Sequence, residues 1–593
     1  MCGVFGYVGE ERSDLSGFLL AGLSKLEYRG YDSAGIAVFN GEKAKIVKET
    51  GEIARLKKLL NGRILSGNVG IGHTRWATHG QVSRKNAHPH VDCRGEIVVV
   101  HNGIIENYEE IKKDLLGKKH KFISETDTEV FAHLVEENLK KKLTNFVEAV
   151  RLSFNELAGL NAVVAVSPLG QIVAFRKGSP LVAGIAKDGN LVSSDIPALT
   201  LETKEIVLLK EGEGVLVEKG GVFLLNARTG KLKRAKPKHI EMEEVTDGKG
   251  NFPHFLLKEI YEQPEVIMRV AVNDKEEIKK VAGLIKNAWG TYFTACGTAA
   301  YAGLAATYMF SEIAKRHVNF AVGSEFPYFE DFLVPRSLLI AASQSGETMD
   351  TLEAVRAAKR HKSKILALIN VPGSSLGRIA DYTVLLKAGP ERAVLSTKSY
   401  IAKLALFLLF AYTIAGKYKK GVLILKKVSR QMNKMFKNGL EKEIRKLAKK
   451  LKEKEHIHII GRGINHATAL EGALKIKEAS YIHAEGFAAG ELKHGVIALV
   501  EKGTPCIVVV ANDRAREAVL SNAMEMKTRG GYIIGISPTK EKVFDYWLPV
   551  PDARVASPIV SVVPMQLLAY HLTILRGFDP DKPRNLAKSV TVK

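Results

Sequence analysis

The second half of this 593-residue chain is built twice. An apolar run from Tyr292 leads into Cys296-Gly297-Thr298 and a helical stretch. Two further runs, Ser337–Ser343 and Lys364–Ile369, then alternate with helices. The same order returns in His456–Gly463, Cys506–Ala511 and Tyr532–Ile536. Gly297 and Gly463 stand 166 positions apart. The Asp-Tyr pairs that open a last short strand, Asp381-Tyr382 and Asp545-Tyr546, stand 164 apart. A helix between consecutive strands returns the chain to the edge it left, so such strands pair in parallel. Agreement of both order and spacing predicts two tandem α/β domains with parallel sheets, over 276–420 and 456–580.

The first part reads differently. Short apolar runs separated by turn residues, Ile36–Phe39, Val69–Gly72, Glu96–His101, Asn161–Val166 and Glu205–Leu209, predict strands in series. Helical patterns interrupt them only around 14–28 and 127–139. Few helices among many strands predict an α+β domain with antiparallel sheets over 2–235. Polar residues with Pro237, Gly248 and Gly250 suggest a linker, set at 236–275. The segment 421–455 reads as a basic helical connector and 581–593 as a C-terminal tail.

Charge has a local explanation. The net charge is +23, and Lys417–Glu455 carries fifteen Lys or Arg against four acidic residues. Apolar spacing at Ile444, Leu447, Ala448 and Leu451 makes this segment an amphipathic helix with a solvated basic face. No aromatic residues interleave as in a stacking platform, so no nucleic-acid partner is expected. The longest apolar run, Leu404–Ala415, falls short of the roughly 20 residues that span a bilayer, so no membrane partner is expected. Cys2, Cys93, Cys296 and Cys506 form neither a metal-finger pattern nor a disulfide framework, and no signal peptide is read at Met1. A reducing, cytoplasmic setting fits.

Cys2 is informative because removal of Met1 would make it the amino terminus. An α-amine with a pKa of roughly 7.7–8.0 can then act as the thiol's own base. Alone, a small cysteine opening a strand is more often a core residue. Three further motifs change the weighing. His73-Thr-Arg-Trp-Ala-Thr-His-Gly80 supplies Arg75 for a carboxylate, Asn102-Gly103 ends a strand with an amide and a backbone N–H, and Ser124-Glu-Thr-Asp-Thr-Glu129 supplies Asp127 for an ammonium. Singly, Asn102-Gly103 could be a plain turn and Asp127 a helix cap. Together with Cys2-Gly-Val-Phe-Gly6, these motifs resemble the class II glutamine amidotransferase family. The resemblance implies an N-terminal-nucleophile fold, a four-layer α-β-β-α sandwich. It implies Cys2 as nucleophile, Asn102 and Gly103 as oxyanion hole, and Arg75, Trp76, Thr78, His79 and Asp127 in glutamine binding.

In the second half, Ser343-Gln344-Ser345-Gly-Glu-Thr348 follows a strand and precedes a helix. Hydroxyls, an amide and a tight turn at a helix N-terminus make an anion cradle, although Ser345 with Thr348 would also suit a capping box. At the carboxyl ends of parallel strands a ligand site is the better reading, with Cys296-Gly297-Thr298 facing the loop and Ser396-Thr397 downstream. Phosphate on a small sugar fits, since no nucleotide-binding glycine pattern is present. The second copy offers acid–base groups instead: Lys475 and Glu478 lie three apart on one helix, and His494 precedes Gly495.

Ser-Gln-Ser-Gly-Glu-Thr, Ala-Gly-Glu-Leu-Lys-His-Gly495 and the tail Pro-Arg-Asn-Leu-Ala-Lys-Ser-Val-Thr-Val592 resemble the tandem sugar-isomerase (SIS) family of isomerising aminotransferases. The resemblance implies that Cys296, Gly297, Thr298, Ser343, Gln344, Ser345, Thr348 and Ser396 hold a sugar phosphate. It implies that Glu478, with Lys475 beside it, moves a proton, that His494 from a second subunit opens the sugar ring, and that Lys588 forms an imine beneath a closing tail. The family often has Ser where this chain has Ala299, which removes one hydroxyl from the cradle. The implied partners are glutamine, fructose 6-phosphate and a second copy of the chain in a homodimer or higher homo-oligomer. The implied product is glucosamine 6-phosphate, with no metal or redox cofactor. Other glutamine amidotransferases, a non-catalytic sugar-phosphate sensor and a deaminating SIS enzyme are the rival readings.

Overall fold

A computed structural model describes residues 2–41, 43–141, 144–240 and 248–590. The chain divides into two compact units, Met1–Val245 (with which Ser589–Lys593 are grouped) and Thr246–Lys588.

The first unit holds two antiparallel sheets, one of eight and one of seven strands. The strand Gly3–Arg12 lies inside the larger sheet, between Gly189–Ser193 and Gly67–Arg75. Its alternation sets the layers: Val4 and Val8 point into the core between the sheets, while Phe5 and Tyr7 point toward the helices Leu15–Ser24 and Ile53–Leu60. Strand Val98–Gly103 of the smaller sheet likewise sends Val98 and Val100 into the inter-sheet core and Val99 toward Glu129–Leu139 and Phe146–Asn155. Helix, sheet, sheet and helix are thus four layers around three apolar cores, as the resemblance implies.

The second unit contains two five-stranded parallel sheets with one topology. The first runs Asn319–Val322, Gly290–Ala295, Ser337–Ser343, Lys364–Ile369, Tyr382–Leu385. The second runs His483–Ala488, His456–Gly461, Pro505–Val509, Tyr532–Ser537, Tyr546–Pro549. The edge strands Asn319–Val322 and His483–Ala488 were not expected from the sequence. Gly297 and Gly463 occupy the same place in the two copies, with φ of 53° and 57°. The helix Lys398–Ile414 is buried from Lys398 through Tyr412, as befits a helix apolar on every face. The stretch Arg554–Leu575 is long and apolar enough to cross a membrane, yet 89% of its most apolar window is buried inside the protein.

The linker expected over 236–275 is a correction: it carries two helices, Phe255–Tyr261 and Gln263–Ala271, and residues 241–247 lie outside the described residues. Leu256, Ile260, Val266, Ile267 and Val270 belong to the large core of the second unit. Asp581 accepts the backbone N–H groups of Phe255 and Leu256 at 2.9 and 2.8 Å, a carboxylate at a helix N-terminus. The 421–455 segment is helical as expected, over Tyr418–Lys437 and Leu440–Leu451. Its stripe Ile444, Leu447, Ala448 and Leu451 is fully buried, so it is core as well as surface.

Candidate functional sites

Cys2 opens the strand Gly3–Arg12, and pairing of that strand with Gly67–Arg75 sets its thiol beside the strand end at Trp76. The Trp76 N–H points at Cys2 Sγ across 3.3 Å. Burial pushes the thiol pKa up, opposed by the Trp76 N–H and the Arg75 guanidinium. From the other sheet, Asn102 Nδ2 donates to the Cys2 carbonyl at 3.0 Å. One amide hydrogen of Asn102 is thus committed and the second is not required by that bond.

Asn102 is held from behind by His73, a residue to which the sequence alone gives no role. His73 Nε2 lies 3.1 Å from both Asn102 Oδ1 and the His101 carbonyl. Both partners accept, so Nε2 carries the hydrogen. Burial drives the His73 pKa down to about 3, so the ring stays neutral and its tautomer fixed. Gly103 follows with φ of 142°, and a Cβ there would fall 2.3 Å from the Leu160 carbonyl oxygen, so only glycine fits.

Arg75 donates to the carbonyls of His79, Gly80 and Gln81, which curls residues 76–81 around its guanidinium. Ala77 N–H is held by Asp32 Oδ2 at 2.8 Å, a further support that no sequence motif marks. Thr78 is exposed on this loop, and the His79 ring packs edge-on to Tyr108. Asp127 is buried, with Oδ2 accepting the Ile105 N–H at 2.8 Å. It is not the helix cap, which is Thr128. Arg75 feels the charges of Cys2, Asp32 and Asp127, so the expected residues share one electrostatic neighbourhood.

In the second unit, Ser343 ends its strand and the chain turns at Gly346, whose φ is 69° and whose Cβ would lie 2.0 Å from Ser374 Oγ. Ser343 Oγ meets Thr348 Oγ1 at 2.8 Å and Ser345 Oγ at 3.5 Å, and accepts the Gly346 N–H at 3.0 Å. Thr348 is the N-cap of Met349–Arg360, but its side chain makes no capping bond. The hydroxyls therefore converge on one another rather than on the helix end. Gln344 contributes its carbonyl to Asn370 N–H. Cys296 caps Gly297–Met309 on the neighbouring strand, with Sγ 3.6 Å from Thr351 Oγ1. These two strand ends flank the switch point of the sheet, where ligands of such folds bind. Ala299, buried, belongs to the core instead.

Thr298 reaches the other copy. Lys475 Nζ donates to Thr298 Oγ1 at 2.8 Å and to Glu478 Oε2 at 2.5 Å, and lies 3.5 Å from Glu471 Oε1. Lys475 is therefore buried in an ion-pair network, not in an exposed surface pair. Burial and Glu478 push the Glu471 carboxyl up to about 8 despite Lys475, a role that its place in the sequence does not announce.

Lys588 Nζ lies 2.7 Å from Glu391 Oε2 and 3.3 Å from Ser396 Oγ. Glu391 also accepts from the N–H groups of Thr397 and Ser399 and from Ser399 Oγ. Burial favours its neutral form, but Lys588 and these donors outweigh it and hold Glu391 down at about 2. Burial and the Glu391 charge push Glu259 up to about 8. Burial drives Lys403 down to about 8. It feels Glu391 and Lys588 on one side and Glu471 and Lys475 on the other, which joins the two clusters. A lysine at the head of the longest apolar run was the sequence signal for this buried network. His494 ends the short helix Ala489–His494, exposed, and no hydrogen bond among the described residues joins it to these groups.

Residues 57–204 match the glutamine amidotransferase domain family, and residues 284–412 and 450–576 match the SIS domain family. Fold and sites thus define a glutamine amidotransferase fused to a tandem sugar-isomerase pair. Over its whole length the chain is 44% identical to the glutamine–fructose-6-phosphate aminotransferase (isomerizing) of Thermococcus kodakarensis and 43% identical to that of Thermotoga maritima. Each match covers 100% of both chains. The C-terminal domain of glucosamine-fructose-6-phosphate aminotransferase from Francisella tularensis superimposes with a TM-score of 0.53 at 34% identity, over 56% of this chain and 100% of that one. The chain belongs to the isomerizing glutamine–fructose-6-phosphate aminotransferase family.

Proposed function

We propose that the protein hydrolyses glutamine in its first unit and uses the ammonia in its second to convert fructose 6-phosphate into glucosamine 6-phosphate, the entry step of amino-sugar synthesis. One combination carries the reading: a chain matching enzymes of that name from end to end has a thiol beside an anchored Asn amide and a buried lysine beside a carboxylate.

With Met1 removed, the α-amine of Cys2 takes the thiol proton and the thiolate attacks the glutamine carboxamide carbon. Asn102 Nδ2 and the Gly103 N–H receive the oxyanion. The protonated amine then gives its proton to departing ammonia, and water releases glutamate from the thioester. Arg75 and Asp127 take the α-carboxylate and α-ammonium groups, with Trp76, Thr78 and His79 closing over them.

In the second unit Ser343, Gln344, Ser345 and Thr348 hold the phosphate, assisted by Cys296, Gly297, Thr298 and Ser396. Lys588 condenses with the open-chain ketose at C2, losing water, and ammonia displaces it. Glu478 moves the proton between C1 and C2, steadied by Lys475. His494 opens the ring. Its exposure and its separation from the buried network favour delivery to a second copy, hence a homodimer or larger assembly. Free Cys2, Cys93, Cys296 and Cys506 favour the cytoplasm.

Amide-labelled glutamine tests the whole reading. Label should appear in glucosamine 6-phosphate when fructose 6-phosphate is supplied. Label confined to free ammonia, with no amino sugar formed, would overturn it.

A further inference from the structure

The first unit contains a second cluster of reactive groups, outside the glutamine site. Cys93 sits in the turn Asp92–Gly95, His120 follows the helix Tyr108–Gly117, and His133 and Glu136 lie three apart on the helix Glu129–Leu139. The Cys93–His120, Cys93–His133 and His120–His133 separations match no zinc-finger spacing, so only the fold reveals the convergence. Cys93 Sγ lies 3.5 Å from His120 Nδ1 and 3.6 Å from His133 Nδ1. The two Nδ1 atoms are 3.3 Å apart. Glu136 Oε2 lies 3.0 and 3.4 Å from those same nitrogens.

These five lengths are close to the edges of a tetrahedron around one ion. Bonds of ~2.3 Å to sulfur and ~2.05 Å to nitrogen at the tetrahedral angle put sulfur and nitrogen ~3.6 Å apart and two nitrogens ~3.3 Å apart.

The outer face of each ring agrees. His120 Nε2 lies 2.8 Å from Glu137 Oε1 and must carry the hydrogen, and His133 Nε2 faces Glu129 Oε1 at 3.7 Å. Each ring thus has a carboxylate on its Nε2 side and turns Nδ1 inward, toward Cys93 and Glu136. Carboxylates behind the imidazoles are the supporting arrangement usual for metal-bound histidines. Inside the cluster two ring nitrogens, a carboxylate oxygen and a sulfur converge within 4.8 Å of one another, a donor set that a single cation would hold together once the thiol is deprotonated. Both histidine side chains are 1% exposed.

We infer that Cys93, His120, His133 and Glu136 bind one divalent transition metal of the zinc type. Sulfur, nitrogen, nitrogen and oxygen donors suit Zn²⁺, and four protein ligands make a closed, structural site. On binding, the Cys93 thiol gives its proton to solvent and the thiolate takes up the metal. The ion would tie the Asp92–Gly95 turn to the helix Glu129–Leu139 and pin both ends of the segment 120–133. That segment carries Asp127, so the metal would steady one wall of the glutamine site without touching substrate.

The test uses the full chain, stripped by chelator and reloaded with Zn²⁺ or Co²⁺. One metal per chain is expected, with a near-ultraviolet sulfur-to-Co²⁺ charge-transfer band. Cys93→Ser should lose the band and most of the metal, whereas Cys2→Ala should keep both. Zn²⁺ should raise the melting temperature of the stripped wild type and not that of Cys93→Ser. Because Cys93 is an exposed turn residue, that variant should fold, as its circular dichroism will show; titrating stripped wild type against a chromophoric chelator measures the same one-to-one stoichiometry without any variant. Failure to hold one equivalent at saturating Zn²⁺, or a band that survives Cys93→Ser, would overturn the assignment.

Discussion

The Lys588 ammonium and the Glu391 carboxylate meet at 2.7 Å with at most 2% of either side chain exposed. Breaking a buried pair by removing one partner costs about 3–5 kcal/mol, more than the intact pair contributes, because a lone charge remains. Glu391→Ala should therefore lower the melting temperature and synthase activity together. Lys588→Arg keeps the charge and should keep most stability. It should lose about two to four orders of magnitude of synthase rate, the scale of removing a reacting group. Borohydride with fructose 6-phosphate should attach the sugar to Lys588. An adduct mapped to another lysine, or an active Lys588→Arg, would refute the imine.

Cys2→Ala should abolish glutamine hydrolysis while fructose 6-phosphate binding, followed by calorimetry, stays intact. The substitution leaves the Asn102 bond to the Cys2 carbonyl in place, so the loss reports on the thiol alone. Residual glutaminase turnover at the wild-type rate would remove Cys2 from the chemistry.

Ser345→Ala and Thr348→Ala should each weaken fructose 6-phosphate binding by about 1.5–3 kcal/mol, or tenfold and more, as for hydrogen bonds to a charged group. Basal glutaminase should not change. Because Thr348 makes no capping bond and loses only its hydroxyl contact with Ser343, its replacement should cost about 1 kcal/mol of stability at most. A large stability loss with unaltered binding would make these residues structural.

Glu259 gives a pH prediction. Its folded pKa of about 8 lies above the ordinary value of 4.5, so the stabilising form is the protonated one. That contribution is whole below about pH 4.5 and is lost as pH rises to about 8. Glu259→Gln keeps an oxygen for the N–H groups of Arg392 and Ala393 and cannot ionise. The stability advantage of the variant over wild type should grow across that interval. Parallel curves would show that Glu259 ionises freely.

The repeat was legible because strand–helix alternation and glycine position recur together, and both glycines take a positive φ. The four-layer sandwich was less so: period-two alternation marks a strand but not which sheet it joins, and only pairing sends Val4 inward and Phe5 outward. The 236–275 segment misled because Pro and Gly cluster at its start, while the apolar stripe Leu256, Ile260, Ile267 that docks it follows later. Motif residues such as Asn102 and Ser343 could be found by type and neighbours. His73, Glu391 and Glu259 could not, since each acts on a partner distant in sequence; Glu471 has its partner Lys475 only four residues away, but its burial, which shifts it, leaves no mark in the sequence.

The bond from Lys475 to Thr298 crosses from one copy of the repeat to the other, and it exposes how unlike the twins have become. Displaced by the same 166 positions, Glu471 and Lys475 correspond to Ala305 and Met309, both buried and apolar. The hydroxyl loop after Ser343 corresponds to Val510-Ala511-Asn512-Asp513, which has no hydroxyl. On the proposed reading, the two scaffolds share one workplace, with the anion cradle on one half and the acid–base groups on the other. Severed from its sibling, neither half would be a smaller isomerase. It would be an incomplete one, because Lys475 would lose its Thr298 partner and the cradle would lose the groups set beside it.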